Sequence, residues 1–464
     1  MFCQLETLQH CLPQNIPRAL RELPMSLDET YERLLKEIAT ANRHHAYRLL
    51  HCLTVARRPL RIEELAEVLA LDFDEAKDGI PELKEDWRWE DQKETVLSTC
   101  SSLIAIVDDG HHSVVQFSHF SVKEYLTSDR LATSGTDISL FHIPPELAHT
   151  VFVKACLGVL LQSENGVANV KAKCNSPLAE YAAEHWVGHA QFEQVSTHIQ
   201  DGMKRLFDLE MPYFGAWLEL YDIDKSWYSL GSLYTGSNTP RGSPLYYASL
   251  CGFHDLAVHL VDENPQHVNE RGGRNLSPLG AALHNKHFHT AELLHQRGAD
   301  VEIRDDDHTL LHFASVNGSV DIGQWLLTHG GDANSREDNL ETPLHLAAMN
   351  GQLEFVQMLL KHCIIVDAKN KNERTSLHLA SEGGHAEVVR LLLQYGADIA
   401  AQDREHNTPL HLASSNVFPE TVRLLIEHGA DVNAPNGNLK MPLHLASSWV
   451  SDEAVRPLLQ HILM

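Results

Sequence analysis

The chain has 464 residues, with 37 basic and 63 acidic side chains and a formal net charge of −26 at pH 7. Apolar residues make up 43%, enough to build cores for two or three domains, and the excess of carboxylates argues against a polyanion or an anionic bilayer as partner. Eight cysteines without a C-x-x-C pair read as reduced thiols; with no signal-peptide pattern at the N-terminus and a longest apolar run, Val151 to Leu161, too short to cross a bilayer, a cytoplasmic protein without membrane contact is expected.

In chain order, Ser26 and Glu29 form a capping box, and Leu27, Tyr31, Leu34, Leu35 and Ile38 recur at helical spacing behind it. A second helix is predicted over Ala46 to Ala56, stopped by Arg57-Arg58-Pro59, and a short third over Ile62 to Leu69. A polar loop around Trp87 and Trp89 follows. Leu103 to Val107 and Val114 to Phe117 then flank Asp108-Asp109-Gly110-His111-His112, the pattern of a β-hairpin, and Ser121 starts another capped helix. Three helices and then a hairpin is the order of a winged helix, a helix-turn-helix variant.

The phrases LPMSLDETYERLLKEI, RRPLRIEELAEVLAL and VVQFSHFSVKEYL resemble the segment that follows the NTPase core in fungal NACHT-type STAND proteins, signalling ATPases of heterokaryon incompatibility and recognition. The opening FCQLETLQHCLPQNIPRALRELP resembles the last helix of that core. The resemblance runs from Phe2 to Leu126 and implies a protein whose nucleotide-binding front is absent from this chain.

Nucleotide binding in that family needs G-x-x-x-x-G-K-[ST], whose backbone N–H groups cradle phosphates. No such stretch occurs; the nearest, Gly231 to Asn238, has neither the Lys nor a preceding strand. Ile104 to Asp109 looks like a Walker B strand, but Gly110 closes a hairpin immediately after it, so the turn reading is preferred. No cofactor and no catalytic residue are assigned, and the chain is read as a non-enzyme. Arg43, Arg48, Arg57, Arg58 and Arg61 would line a basic face for DNA, yet Glu63, Glu64 and Glu67 follow directly, so no nucleic acid is expected.

Asp137 to Tyr221 reads as helices over Pro145 to Leu161, Pro177 to His189 and Gln191 to Phe207, with the aromatic stretch Pro212 to Leu218 in the core. His185 and His189 stand at metal-ligand spacing, but Trp186 occupies the place where a metalloprotease carries Glu. A buried helix face is the preferred reading. Ser229 to Arg241 is rich in Gly, Ser, Thr and Pro and reads as a linker.

From Ser243 onward one pattern returns: Ser243-Pro244-Leu245-Tyr246, Ser277-Pro278-Leu279-Gly280, Thr309-Leu310-Leu311-His312, Thr342-Pro343-Leu344-His345, Thr375-Ser376-Leu377-His378, Thr408-Pro409-Leu410-His411 and Met441-Pro442-Leu443-His444. The intervals between anchors are 34, 32, 33, 33, 33 and 33 residues. This period, with T-P-L-H-x-A, resembles the ankyrin repeat. Two residues after each anchor stands Leu, five after stands Ala and seventeen after stands Leu, in every copy. Such invariance describes a stacked core independently of any family.

The predicted organisation is mainly α: 1–24 as the end of an NTPase core, 25–130 as a winged-helix-like domain with a small β-hairpin, 131–228 as a helical spacer, 229–242 as a linker, and 243–464 as a solenoid of seven ankyrin units with the last one incomplete. Gly252, Gly318, Gly351 and Gly384 are expected to end first helices in the left-handed conformation, and Gly298, Gly330, Gly396 and Gly429 second helices. Leu340, Glu373 and His406 stand where ankyrin hairpins usually carry Gly, so these turns are expected to be less sharp. Pro457 falls inside the last helix, and Met441 to Met464 should exchange its amides fastest. His312, His345, His378, His411 and His444 lie too far apart for one metal ion; each is expected to hydrogen-bond the loop of the next unit. The trio His284, His287 and His289 is no better than a chance site, and no metal is assigned.

The ankyrin resemblance implies that hairpin tips and first-helix faces form a concave protein-binding surface. By position its residues are Asp305, Asp306 and His308; Asp338, Asn339, Glu341, Met349 and Asn350; Lys371, Asn372, Arg374 and Glu382; Arg404, Glu405, Asn407, Ser415 and Asn416; and Lys440 and Trp449. Trp449 either anchors a partner or covers the end of the stack. The reading is a protein-interaction scaffold or sensor related to STAND signalling NTPases. The alternatives are the C-terminal fragment of a P-loop NTPase and a winged-helix DNA-binding adaptor. Neither the partner's identity nor the oligomeric state is written in the sequence.

Overall fold

The computed structural model describes residues 27–100, 102–108, 110, 112–133, 137–162, 176–226, 242–305, 308–416, 418–447 and 458–459. The chain divides into two compact units, residues 1–237 with 253–259 and residues 238–252 with 260–464. The fold is mainly helical, with a winged-helix region, small sheets and a repeat array.

In the first unit, α1 (Leu27–Glu37) buries Tyr31, Leu34 and Leu35 on one side, and the Tyr31 hydroxyl meets Ser121 Oγ at 2.6 Å. Ser26, the expected cap of this helix, lies outside the described residues. Helices α2 (Arg43–Val55) and α3 (Ile62–Leu69) follow, joined by β1 (Leu60–Arg61). The polar loop expected around Trp87 and Trp89 is present, with a 3-10 turn over Glu85–Trp87, but a hairpin precedes it and a helix follows it: β2 (Leu71–Lys77) pairs antiparallel with β3 (Ile80–Leu83), and α4 spans Gln92–Cys100. The turn is Asp78-Gly79, both at positive φ, the two-residue geometry that suits a twisted hairpin. The helices before the wing are therefore α2, α3 and α4, with a hairpin inserted between the last two. The wing forms as expected from β4 (Ile104–Asp108) and β5 (Ser113–Phe117), and β5 also pairs with β1. After the wing, α5 (Phe120–Leu126) is capped by the His119 ring, whose Nδ1 accepts from the Ser121 amide at 3.2 Å.

Helix α6 (Pro145–Leu160) is apolar on nearly every side because it is the central helix of this unit, packed by α2, β3 and α7 (Ala179–Ala190). Gly158 lets β3 approach: a Cβ there would lie 2.5 Å from the Pro81 carbonyl oxygen. The helix expected over Gln191 to Phe207 is broken into a 3-10 turn, Val195–Ile199, and α8 (Gln200–Leu206). α9 (Tyr213–Leu220) carries the aromatic stretch, and Trp217 is buried with its indole N–H donating to the Ala183 carbonyl. No described helix is long and apolar enough to cross a membrane.

In the second unit each anchor stands directly before a first helix, from Pro244–Cys251 to Pro442–Ser447, and all but Met441 cap it. The recurrent Leu and Ala positions are buried in every copy except Leu443, which is half-buried in the last one. All eight glycines expected to end helices have positive φ, where a residue without Cβ is unstrained. Pro419 occupies the first turn of its helix, where the missing N–H has no partner to lose. Pro457 lies outside the described residues.

Candidate interaction face of the repeat array

The hairpins between units start from five residues that end just before the anchor. In each of the four that precede Thr342, Thr375, Thr408 and Met441, the first residue donates its N–H to the carbonyl of the fifth and accepts from the amide of the fourth. The pairs are Glu337 with Glu341 and Leu340, Asn370 with Arg374 and Glu373, Asp403 with Asn407 and His406, and Asn436 with Lys440 and Leu439. This closure puts the fourth residue in the left-handed region: Leu340 at φ 59, and Glu373, His406 and Leu439 at φ 58. The turns are thus as sharp as glycine would make them, against the expectation for Leu340, Glu373 and His406.

The first side chain holds the turn shut. Asn370 Oδ1 accepts from the amides of Asn372 and Arg374, each at 3.0 Å. Asp403 Oδ1 accepts from Glu405 at 3.0 Å and Asn407 at 2.8 Å, and Asn436 Oδ1 from Asn438 at 3.0 Å and Lys440 at 2.9 Å. Glu337 does the same more weakly, its Oε1 accepting from Asn339 at 3.3 Å. Adjacent tips are joined by backbone bonds: Lys371 donates to Asn339, Arg404 to Asn372, and Gly437 to Glu405.

A second row of bonds crosses each seam beneath the tips. His308 Nε2 lies 3.0 Å from Glu337 Oε2; Asn370 Nδ2 donates to Glu341 Oε1 at 3.1 Å; Arg374 Nε donates to Asp403 Oδ2 at 3.4 Å; Asn436 Nδ2 donates to Asn407 Oδ1 at 2.8 Å. Each joins residues 29 positions apart, and no two pairs have the same chemistry.

Four of the five anchor histidines, His312, His345, His378 and His411, behave as expected. Nδ1 of His345 accepts from the Thr342 amide at 3.2 Å, and Nε2 donates to the Arg374 carbonyl at 3.1 Å. His312, His378 and His411 reach the carbonyls of Glu341, Asn407 and Lys440 in the same way. Burial pushes the imidazoles of His312, His345 and His378 down to about 4 and lowers that of His411, so these rings are neutral bridges at pH 7.

The residues expected on the face divide into three groups. Asp338, Asn339, Lys371, Asn372, Arg404, Glu405 and Lys440 are exposed at the tips, and Met349, Asn350 and Asn416 at the first-helix ends. His308, Glu341, Arg374, Glu382 and Ser415 are half-buried, and all but Ser415 are tied into the array, with Arg374 Nη1 also donating to Glu382 Oε2 at 2.9 Å. Asn407 is buried, because its amide fills the seam against Asp403 and Asn436. Asn350 and Asn416, though exposed, cap their surroundings by donating to the carbonyls of Leu346 and Glu382. Asp305 belongs to a two-residue strand, β6 (Arg304–Asp305), paired with β7 (His308–Thr309); Asp306 and Trp449 lie outside the described residues. Position alone missed Leu439, which is 81% exposed.

The arginines considered for a DNA face are engaged within their own unit. Arg48 lies over the Phe73 ring and 3.6 Å from Asp74, and Arg57 Nη2 donates to the Gly188 carbonyl at 2.7 Å. Arg58 clamps Glu64 through two bonds of 2.8 and 2.6 Å, the Arg61 amide donates to the same carboxylate at 2.8 Å, and Arg43 lies 4.0 Å from Asp137. Glu64 is fully buried. The helix directly before the wing, α4, offers Lys93 beside Glu94 in its exposed first turn. Likewise, His189 is a core histidine: its Nδ1 lies 2.8 Å from His149 Nδ1 and its Nε2 3.1 Å from the Tyr181 hydroxyl, and burial drives its ring down to about 3. Among the described residues, no group of three or more His, Cys, Asp or Glu side chains is arranged to hold a metal ion.

Comparison with known proteins accords with this geometry. The ankyrin-repeat family matches three overlapping stretches, 245–337, 311–403 and 400–463, and the winged helix domain of GPI inositol-deacylase matches 31–137. The azaphilone pigments biosynthesis cluster protein L of Monascus ruber is 31% identical over 300 residues, 61% of this chain and 61% of that protein. Ankyrin repeat and SAM domain-containing protein 6 of Mus musculus is 33% identical over 101 residues, 21% of this chain and 11% of that one. Ankyrin repeat protein nuc-2 of Neurospora crassa is 34% identical over 88 residues, 19% and 8% respectively. The chain thus spans 61% of the first relative and a much smaller share of the other two. Its C-terminal half is an array of ankyrin repeats, set behind a winged-helix region.

Proposed function

We propose that the array is a protein-binding scaffold in which hairpin tips and first-helix ends hold a partner chain, and that it acts by binding rather than catalysis. The observation that carries this reading is the double fixing of the tips, by side-chain acceptors within each hairpin and by backbone bonds between neighbours, while Asp338, Lys371, Arg404, Glu405 and Lys440 stand exposed on them. A surface ordered before binding loses little conformational entropy when a partner arrives. The inward pairing of Arg48, Arg57 and Arg58 favours a protein over nucleic acid.

The wider role we assign is partner sensing related to fungal signalling NTPases of the NACHT STAND type, in the cytoplasm. The winged-helix match at 31–137 and the phrases that follow the core in that family support this assignment. The test is affinity capture with the intact chain and with a K371E/R404E/K440E variant, followed by reconstitution from purified proteins. The variant should lose the partner by tenfold or more; a partner held equally by both would remove the tips from the interface. Micromolar ATP binding by calorimetry, or salt-sensitive retention on DNA, would overturn the non-catalytic and protein-partner assignments respectively.

A further inference from the structure

Building on the protein-binding role, we infer that Leu340, Glu373, His406 and Leu439 form a specificity row that grips an extended acidic peptide carrying two apolar residues about eight positions apart. These four side chains recur every 33 residues at one place, the left-handed residue of each hairpin. A residue with a Cβ pays roughly 1–2 kcal/mol to adopt that conformation, and glycine would make the same turn without strain. The strain is overridden by the acceptor bonds from Asn370, Asp403 and Asn436. What it places at the apex of each tip is a side chain. Leu340 is 39% and Leu439 81% exposed, and Glu373 and His406 are exposed between them. The inner two are oriented by their own hairpins, Glu373 by Lys369 at 4.0 Å and His406 by Gln402 at 3.2 Å. Exposed leucines held in a strained conformation are the reverse of what stability alone would select, and such outliers mark function.

The occupant follows from spacing and charge. First helices stacked roughly 9 Å apart put Leu340 and Leu439 about 27 Å from each other, which an extended chain covers in about eight residues. An even separation turns both apolar side chains to the same side. Setting aside the paired Lys369 and Glu373, the exposed charges on these tips are Arg336, Lys371, Arg404 and Lys440 against Asp338 and Glu405, four less two, or net +2. The surrounding chain carries −26. An acidic segment is therefore attracted to the row and repelled elsewhere.

The probe is a fluorescently labelled nonapeptide, Leu-Thr-Glu-Ser-Asp-Ser-Glu-Thr-Leu, titrated with the full chain by anisotropy at low salt. Saturable binding is expected. It should weaken by tenfold or more when the leucines are brought to five positions apart, when lysines replace the acids, and in an L340G/L439G chain. That variant relieves left-handed strain, so its thermal midpoint should be no lower than the parent's, which separates lost recognition from lost folding. Absence of saturable binding, indifference to leucine spacing, or undiminished binding by a folded L340G/L439G chain would each overturn the row. The charge-reversed tips and a captured partner test the protein-binding role separately, so one can fail without the other.

Discussion

His345 bridges two units through Arg374: its Nε2 donates to the Arg374 carbonyl at 3.1 Å while its Nδ1 accepts from the Thr342 amide that opens its own helix. The bridge needs a neutral ring, and protonating Nδ1 removes the acceptor. In the folded array His312, His345 and His378 stay neutral down to about pH 4, whereas in the unfolded chain they take up a proton near pH 6.5. Between these values the unfolded state binds more protons, so stability falls as pH falls from about 6.5 to about 4, by on the order of 3 kcal/mol per ring at most. Urea unfolding of the chain at pH 7.5, 5.5 and 4.5 should show this decline. The Cε1–H signals of the three rings should titrate near 4; titration near 6.5 would contradict the bridge.

Arg58 and Glu64 give a second expectation. The carboxylate is fully buried and receives both Arg58 bonds and the Arg61 amide. Removing the guanidinium strands a charge in the interior, so Arg58→Ala should lose about 3–5 kcal/mol in chemical denaturation, and adding Glu64→Gln should recover part of it. A loss below 1 kcal/mol would mean that the carboxylate finds water.

Gly158 and Gly202 separate backbone from side-chain crowding. A Cβ on Gly158 would meet the Pro81 carbonyl at 2.5 Å, whereas one on Gly202 would meet the end of the Ile80 side chain at 2.6 Å. Carbonyls move only with their strand, and a side-chain tip can change rotamer. Gly158→Ala should therefore destabilise by about 1–3 kcal/mol, and Gly202→Ala by clearly less; equal midpoints for the two would refute the distinction.

The hairpin turns offer a matched pair of substitutions. Asn370→Ala removes the acceptor of two amides in a buried turn and should lose about 1–3 kcal/mol. Glu373→Gly relieves the left-handed strain three residues later and should be neutral or stabilise by about 1 kcal/mol. Thermal unfolding of the two variants measures both, and a destabilising Glu373→Gly would show that the side chain supports the turn.

The array was legible because its constraints are periodic: a Leu or an Ala that every seam buries must recur, and a glycine recurs at most helix ends, although Lys286 takes the left-handed position in one of them. The sharpness of the hairpins was not legible, because the residue that compensates Glu373 is Asn370, three places earlier, whose role depends on side-chain reach. Burial of Asn407 was hidden for a similar reason, since position marks it as a tip residue and only the seam with Asn436 reveals it as an interior one. The hairpin β2–β3 carried its signal in Asp78-Gly79, yet the alternation around it is poor. Helix α4 buries only Val96, Thr99 and Cys100, too few to draw a stripe. On the face itself, residue types at recurrent positions located the tips, but which side chains stay outward was decided by partners 29 residues away.

That 29-residue pairing also bears on how such a gene can change. Each seam joins a different couple, His308 with Glu337, Glu341 with Asn370, Arg374 with Asp403 and Asn407 with Asn436, so the repeats, alike in their cores, are not interchangeable at their edges. Excising residues 342–374, one full period, would set Glu341 against Asp403, two carboxylates in a half-buried seam; excising 375–407 would set Arg374 against Asn436, which is tolerable. Unequal recombination within this array should therefore be survivable at some junctions and not at others, and the relative stability of the two shortened chains would reveal which.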